Sequence, residues 1–271
     1  MSGPDLPTGA PAPPRDVRST LPVDGYRQVT ADRPTALVRL TGTLDPTTAD
    51  GLRATLLTRL ADLPGAAVVD LTGLRIGDPA ALTAIVEAAR EAADWPGGRP
   101  LFWTRVPLPA AGWESGAADT VVSTDVGAAY ARLVADASTD RQLHAELEPV
   151  VGAARRAREL LTEGCLRWDL PDLAGSGCVA VTEMVNNVVA HAGTSMTLRI
   201  GWRDGSLRVA VRDYSSRAPS FGGLVPPTSP GGRGLLLVDT VTRRWGTSRL
   251  TDGKFVWAVL HPEDELADYG R

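Results

Sequence analysis

The chain reads as an α/β unit followed by an α+β unit. The first would hold a mixed or parallel sheet, and the second would be a sandwich with helices on one face of a mainly antiparallel sheet. Three observations carry this reading. In the first half, β-rich runs alternate with amphipathic helical runs, the order that builds strand–helix–strand layers. In the second half, helical stretches come first and period-two hairpins follow. Between them ASTDR, residues 137–141, is short and polar and marks a boundary.

Taken in order, Met1–Asp24 is rich in Pro, Gly and Ala and reads as a disordered tail, with order beginning near Tyr26. TALVRLTG, Thr35–Gly42, alternates and is rich in β-branched residues, so it is expected to be a strand. Asp45-Pro46 is a helix start, with Asp at the N-cap and Pro at the first helical position. Leu52, Leu56, Leu57 and Leu60 give that helix its apolar face. Ala66–Leu71 is a short buried strand, and Asp78-Pro79 repeats the N-cap device for a helix running to about Ala93. A strand over Leu101–Thr104 and a closing helix over Val126–Ala137 complete the unit. The expected organisation is a first unit at 25–137, a linker at 138–142, a second unit at 143–263 and a tail at 264–271.

The second unit is expected to open with helices over Leu143–Leu161 and Cys178–Ala192. SMTLRIGW and SLRVAVRDY then flank Arg203-Asp204-Gly205, a hairpin turn. A Gly/Pro/Ser-rich loop, Ser215–Pro230, precedes a helix beginning near Gly232 or Arg233. WGTSRLT, Asp252-Gly253 and KFVWAVL form a last hairpin, with Trp245 and Trp257 expected to pack on the sheet.

At 271 residues, 43% hydrophobic and 22% charged, the chain has the composition of a soluble globular protein of about two domains. A net charge of -4 argues against a general nucleic-acid surface or a polybasic membrane surface. Lys254 is the only lysine. Cys165 and Cys178 lack metal-ligand spacing; a reduced cytoplasmic protein is the default, and a bridge between the two stays open. No apolar run is read as approaching the ~20 residues of a membrane helix, and the N-terminus lacks a signal-peptide core.

The candidate site lies in EMVNNVVAH, Glu183–His191. Glu183, Asn187 and His191 at i, i+4 and i+8 form one polar stripe, opposite Met184, Val185, Val188 and Val189. Alone, such a stripe is equally a solvated face. Asp213 ends an apolar alternating strand, where a buried acid needs hydrogen-bond donors. Gly231, Gly232 and Gly234 precede Leu235–Val238; glycines at a helix start let backbone N–H groups approach an anion, though they also serve as plain caps. The loop before them has the length of a lid.

Taken together, AARRARELL, TEMVNNVVAHAG, VRDYSS, GGRGLLLVD and RRWG make residues 148–262 resemble the Bergerat-type (GHKL) ATPase domain, in its anti-sigma-factor serine kinase branch. The resemblance implies ATP and Mg²⁺ as cofactors. It makes Glu183 the general base towards a protein serine, Asn187 the Mg²⁺ ligand and Asp213 the adenine contact. It sets Gly232 and Gly234 against the phosphates, with Arg233 reaching a phosphate through its planar fork. The family often has glycines after the strand-end aspartate, where this chain has Tyr214, Ser215 and Ser216. His191 is assigned a structural role.

The first unit, on LTGTLDPTTADGL and AAVVDLTGLRIGDPAAL, resembles the STAS domain of anti-sigma-factor antagonists. That family carries a phosphoacceptor serine at the start of its second helix. Here Asp78-Pro79-Ala80-Ala81 keeps the helix start, but Pro79, Ala80 and Ala81 have no hydroxyl. The resemblance implies partner-switching control with a separate STAS antagonist, a sigma factor or both as partners. The STAS-like unit would then be a tethered partner mimic. An intramolecular contact between the units and a homodimer are both compatible with it. The alternative is a non-catalytic, nucleotide-dependent scaffold.

Overall fold

The computed structural model describes residues 23–30, 33–63, 65–104, 122–125, 127–129, 131, 141–215 and 234–263. It contains two five-stranded sheets, one in each half of the chain. The first runs in the order β1 (Val23–Thr30), β2 (Arg33–Leu44), β3 (Ala67–Ile76), β4 (Pro100–Trp103) and β5 (Val122–Ser123). β1 is antiparallel to β2, and every later neighbour is parallel. β3 opens with five consecutive buried residues, the pattern of a strand covered on both faces. On one side Val38, Leu40 and Val69 meet α1 (Ala49–Asp62) and α2 (Thr83–Ala93). On the other, Val68 and Leu101 meet Ala129. Residues 127–129 and 131 are helical; the rest of the expected closing helix lies outside the described residues.

Two local expectations need correction. β1 begins at Val23, so the last two residues of the expected tail belong to a strand. Asp45 does not cap α1 directly. Its Oδ1 accepts the N–H groups of Thr47 (2.9 Å) and Thr48 (3.2 Å), building a turn, and the helix begins only at Ala49. Asp78 keeps its capping role: it accepts Ala80 N–H at 2.9 Å at the head of a 3-10 turn, Pro79–Leu82, that leads into α2.

The second sheet has the order β6 (Arg141–Leu147), β7 (Met196–Arg203), β8 (Ser206–Asp213), β10 (Lys254–Leu260), β9 (Arg244–Arg249), antiparallel throughout. The expected helix over Leu143–Leu161 is therefore wrong at its start. Residues 141–147 pair with β7, and α3 spans Ala153–Trp168. RQLHAEL is built of good helix formers, but it alternates: Leu143, Ala145 and Leu147 join the core under the helices. Tertiary pairing overrides propensity here. Arg141 and Gln142, expected in the linker, open this strand.

α3, α4 (Ala174–Asn187) and α5 (Gly234–Val241) cover one face of the sheet through a core that includes Leu161, Met184, Val185, Val209, Val211 and Val256. The stretch Pro171–Ala192, at 22 residues and mean hydropathy 1.2, is long and apolar enough to cross a membrane by length and composition, contrary to the expectation from sequence. Here Met184, Val185 and Val188 of this stretch are buried in the core of the second unit. Cys165 and Cys178 are both free thiols.

The other face of this sheet receives the first unit. Phe255, Ala210 and Leu250 join the same apolar cluster as Leu56, Ala92 and Trp95, and the rings of Trp95 and Phe255 lie 4.5 Å apart. Gly201 permits the approach, since a Cβ there would stand 3.3 Å from Pro96 Cβ. Polar contacts follow one theme: arginines of the second sheet meet the C-terminal ends of α1 and α2. Arg199 donates to the carbonyls of Ala61 and Leu63 (2.6 Å to Leu63), and Arg203 donates to Ala93 O at 2.7 Å. These carbonyls lack intrahelical partners, and the helix dipole makes them the negative end. Burial, and then the charge of Arg212, push the Arg199 guanidinium down to about 10, so the cation relies on these oxygens. Arg244 pairs with Asp94 at 2.6 Å, Arg99 with Asp204 at 3.1 Å, and Thr251 N–H donates to Thr58 Oγ1 at 2.8 Å.

Candidate functional site

Among the described residues, the turns that follow α4 and β8 meet at one end of the second sheet. α4 ends at Asn187 and continues through a π-helical turn, Val188–Ala192, closed by Gly193 N–H donating to Val188 O at 2.8 Å. The chain then enters β7 at Met196, which lies opposite Asp213, the last residue of β8. Tyr214 N–H donating to Thr194 Oγ1 at 3.3 Å ties these ends together. The turn that follows α4 is thus tied to the end of β8 that holds Asp213. α5 leads through a short bend into β9 at Arg244, whose partner Val259 lies at the far end of β10 from Lys254. The N-terminus of α5, Gly234, therefore points back to the end that holds Asp213.

Glu183 and Asn187 lie one helical turn apart on α4, both half-buried, as the spacing predicts. His191 is exposed within the π turn. Such turns concentrate at functional sites, and nothing in the residue pattern announced this one. Gly231, Gly232 and Arg233 lie outside the described residues, as does nearly all of the expected lid loop. Trp245 packs against the core under the helices and donates to Asp239 Oδ1 at 2.9 Å, whereas Trp257 packs at the seam with the first unit.

Asp213 is 0% exposed, and its side chain follows Val209 and Val211 to the helix-bearing face. Its Oδ1 accepts Ser215 N–H at 2.9 Å and Lys254 Nζ at 3.0 Å. Oδ2 lies 2.9 Å from the same ammonium, yet among the described residues no donor is directed at it with hydrogen-bond geometry. The charge is balanced, and one buried acceptor remains open. That is a fit for an exocyclic amine, whose N–H would meet this oxygen.

Lys254 is the residue that sequence reasoning missed. It faces Asp213 directly across the β8–β10 ladder and is 5% exposed. Two signals could have found it: it is the only lysine, and it follows a hairpin turn on a strand otherwise apolar. Gly253 is needed beside it, because a Cβ there would come within 2.0 Å of Asp213 O. Among the described residues no group of three or more His, Cys, Asp or Glu could hold a metal. The amide oxygen of Asn187 is a suitable hard ligand for Mg²⁺, which takes oxygen donors and keeps several waters.

Residues 143–260 match the family of histidine kinase-like ATPase domains. Three solved structures are similar to parts of the chain. The RsbU and RsbW domains of a Mycobacterium tuberculosis protein are 20% identical over 45% of this chain, with a TM-score of 0.32. The chain spans 32% of the length of that structure. An anti-sigma factor antagonist from Mycobacterium paratuberculosis is 16% identical over 43% of this chain and 97% of its own, with a TM-score of 0.33. The anti-sigma factor antagonist SpoIIAA, in its unphosphorylated form, is 17% identical over 41% of this chain and 97% of its own, with a TM-score of 0.29. Among curated proteins no significant relative was found. The second unit, residues 143–260, thus matches the histidine kinase-like ATPase domain family, over somewhat less than half of the chain.

Proposed function

We propose that the chain is an ATP-binding regulator of partner-switching control, with serine kinase character towards a separate STAS-type antagonist. The observation that carries the nucleotide reading is Asp213: a fully buried, charge-balanced carboxylate with one open acceptor oxygen, at the sheet end where α4 ends and α5 begins. In this reading Oδ2 of Asp213 accepts the adenine amine. The N–H groups at the start of α5, from Gly234 and its neighbours Gly232 and Arg233, bind phosphate oxygens. Asn187 holds Mg²⁺, which would screen the phosphate charge. Glu183, one turn before Asn187, accepts the proton of the attacking serine hydroxyl as the γ-phosphoryl group passes to that oxygen and ADP leaves. Positioning and electrostatics supply the rate, and no covalent enzyme intermediate is needed.

The first unit does not serve as a mimic on the Glu183 face in this structure. It docks on the opposite face of the sheet, through the C-terminal ends of α1 and α2. Asp78–Ala81, the segment matching the STAS acceptor, heads the 3-10 turn before α2, at the far end from this seam. This arrangement leaves the helix-bearing face of the ATPase domain to partners in trans. The scaffold alternative draws on one feature, the missing hydroxyl at Pro79–Ala81.

Glu183→Ala separates the two readings. With Mg²⁺-ATP and purified STAS antagonists that bear the acceptor serine, the kinase reading expects transfer by the unsubstituted chain. In the variant, ATP affinity should hold within about twofold while transfer falls at least 100-fold, the scale of a lost general base. Transfer that survives Glu183→Ala, or none by the unsubstituted chain despite ATP binding, contradicts the kinase reading.

A further inference from the structure

Arg212 precedes Asp213 on β8, so the two side chains point to opposite faces of the sheet. Asp213 faces the helices and the candidate base pocket; Arg212 faces the first unit. The Arg212 guanidinium is buried and touches three separate segments. It bonds Asp62 at the C-terminal end of α1. Its Nη2 also donates to both oxygens of Asp252, in the β9–β10 turn, at 3.1 and 3.0 Å. Its Cζ lies 4.9 Å from the ring centroid of Tyr214. Burial alone would favour losing the proton, but the bond and charge of Asp62, with Asp252, outweigh it and hold the guanidinium above its ordinary range. One fixed cation therefore ties together an element of the first unit, the turn two residues before Lys254 and the residue after Asp213.

We propose that Arg212 is a positioning residue for the base-reading pair Asp213–Lys254, and that Asp62 makes its setting depend on the docked first unit. The proposal rests on the reading of Asp213 as the adenine contact. Asp213 and Lys254 both stand at strand ends, where a sheet opens most readily. Gly253 packs its backbone against the backbone carbonyl of Asp213, so a shift of the turn is passed to the main chain that carries the carboxylate. Arg212 closes this end from the rear, keeping Oδ2 aimed into the pocket. A first unit that tilts away takes Asp62 with it and leaves the guanidinium Asp252 as its one carboxylate partner. Docking of the first unit and purine recognition are then linked, and the linkage is reciprocal.

The test is Asp62→Asn in the full chain, which keeps the size of the side chain and removes its charge. Binding of ATP is compared with binding of ITP, which has the same ribose and phosphates but an oxygen in place of the amine. The expected result is an ATP Kd raised roughly 3- to 30-fold, the range seen for coupled network positions, with ITP binding unchanged. Arg212→Lys, which keeps the charge but lacks the two nitrogens that reach Asp62 and Asp252 separately, should show the same selective loss. Equal weakening of both nucleotides would mean a general brace and overturn the proposal, as would unchanged ATP binding. If the unsubstituted chain binds ATP and ITP equally, the adenine role of Asp213 falls and the proposal with it. A clear ATP preference that Asp62→Asn leaves intact overturns the proposal alone.

Discussion

Phe255→Ala removes the ring on which the two units meet. That ring is fully buried on the rear face of the second sheet, 4.5 Å from Trp95 of the first unit, with the Arg199 guanidinium 5.6 Å from its centroid. Truncating a buried Phe costs about 3–5 kcal/mol. The upper part of that range is expected, because an aromatic pair worth about 0.5–1.5 kcal/mol is lost as well. In a chain of this size 1 kcal/mol corresponds to about 2–4 °C, so the midpoint should fall by roughly 8–20 °C. Thermal unfolding followed by circular dichroism and calorimetry reads this out. The unsubstituted chain should melt in one transition, since a shared core couples the units, and the variant should melt lower and broaden or split. Val151→Ala, at a position 99% exposed, is the control and should stay within about 0.5 kcal/mol. A fall of less than about 2 °C for Phe255→Ala, or two separate transitions in the unsubstituted chain, would refute the shared core.

Two further outcomes follow from buried chemistry. Lys254→Met leaves the carboxylate of Asp213 buried without its counter-charge and should cost about 3–5 kcal/mol in urea unfolding. Adding Asp213→Asn should restore more than half of that, and a single-variant cost below about 1 kcal/mol would contradict the pairing. Burial first, then the neighbouring Cys178, push the Cys165 thiol up to about 11. Because this value lies above the ordinary one, the stability it contributes is fully present at pH 8 and is lost only as pH rises towards 11. A disulfide reagent at pH 8 should therefore modify the half-buried Cys178 and reach Cys165 only on unfolding; two equally fast thiols in the native chain would refute this.

Much of the fold could be read from local rules, and the failures have physical causes. The hairpin at Asp204-Gly205 was expected because it needs positive φ at two successive residues, and the structure has φ of +50° and +69° there. β6 was missed because Leu, Ala and Glu are strong helix formers and only pairing with β7 decides the matter. The period-two alternation of β7 and β8 puts Arg199, Arg203, Arg208 and Arg212 on the face opposite the apolar residues. Period two says only that they lie on the second face, not what covers it. Arginine can reach water from under a partial cover, so the pattern suits a solvated sheet as well as a seam. The clues to a covered face were Ala210, Phe255 and Trp257, apolar residues at positions where a solvated face should be polar. In the candidate site, the i, i+4 spacing of Glu183 and Asn187 and the strand-end place of Asp213 were visible in the chain. The pairing of Asp213 with Lys254 was not, because it depends on the register between strands separated by 40 residues, a long loop and a helix.

The central claim is that Asp213 reads a nucleotide base. Calorimetric titration of the full chain with ATP in the presence of Mg²⁺, alongside Asp213→Asn, tests it most directly. The account predicts saturable binding by the unsubstituted chain, and an affinity at least tenfold lower in the variant, about 1.4 kcal/mol, as expected when a buried acceptor of a ligand amine is replaced. Equal affinity in the two proteins, or no binding by the unsubstituted chain, would contradict it.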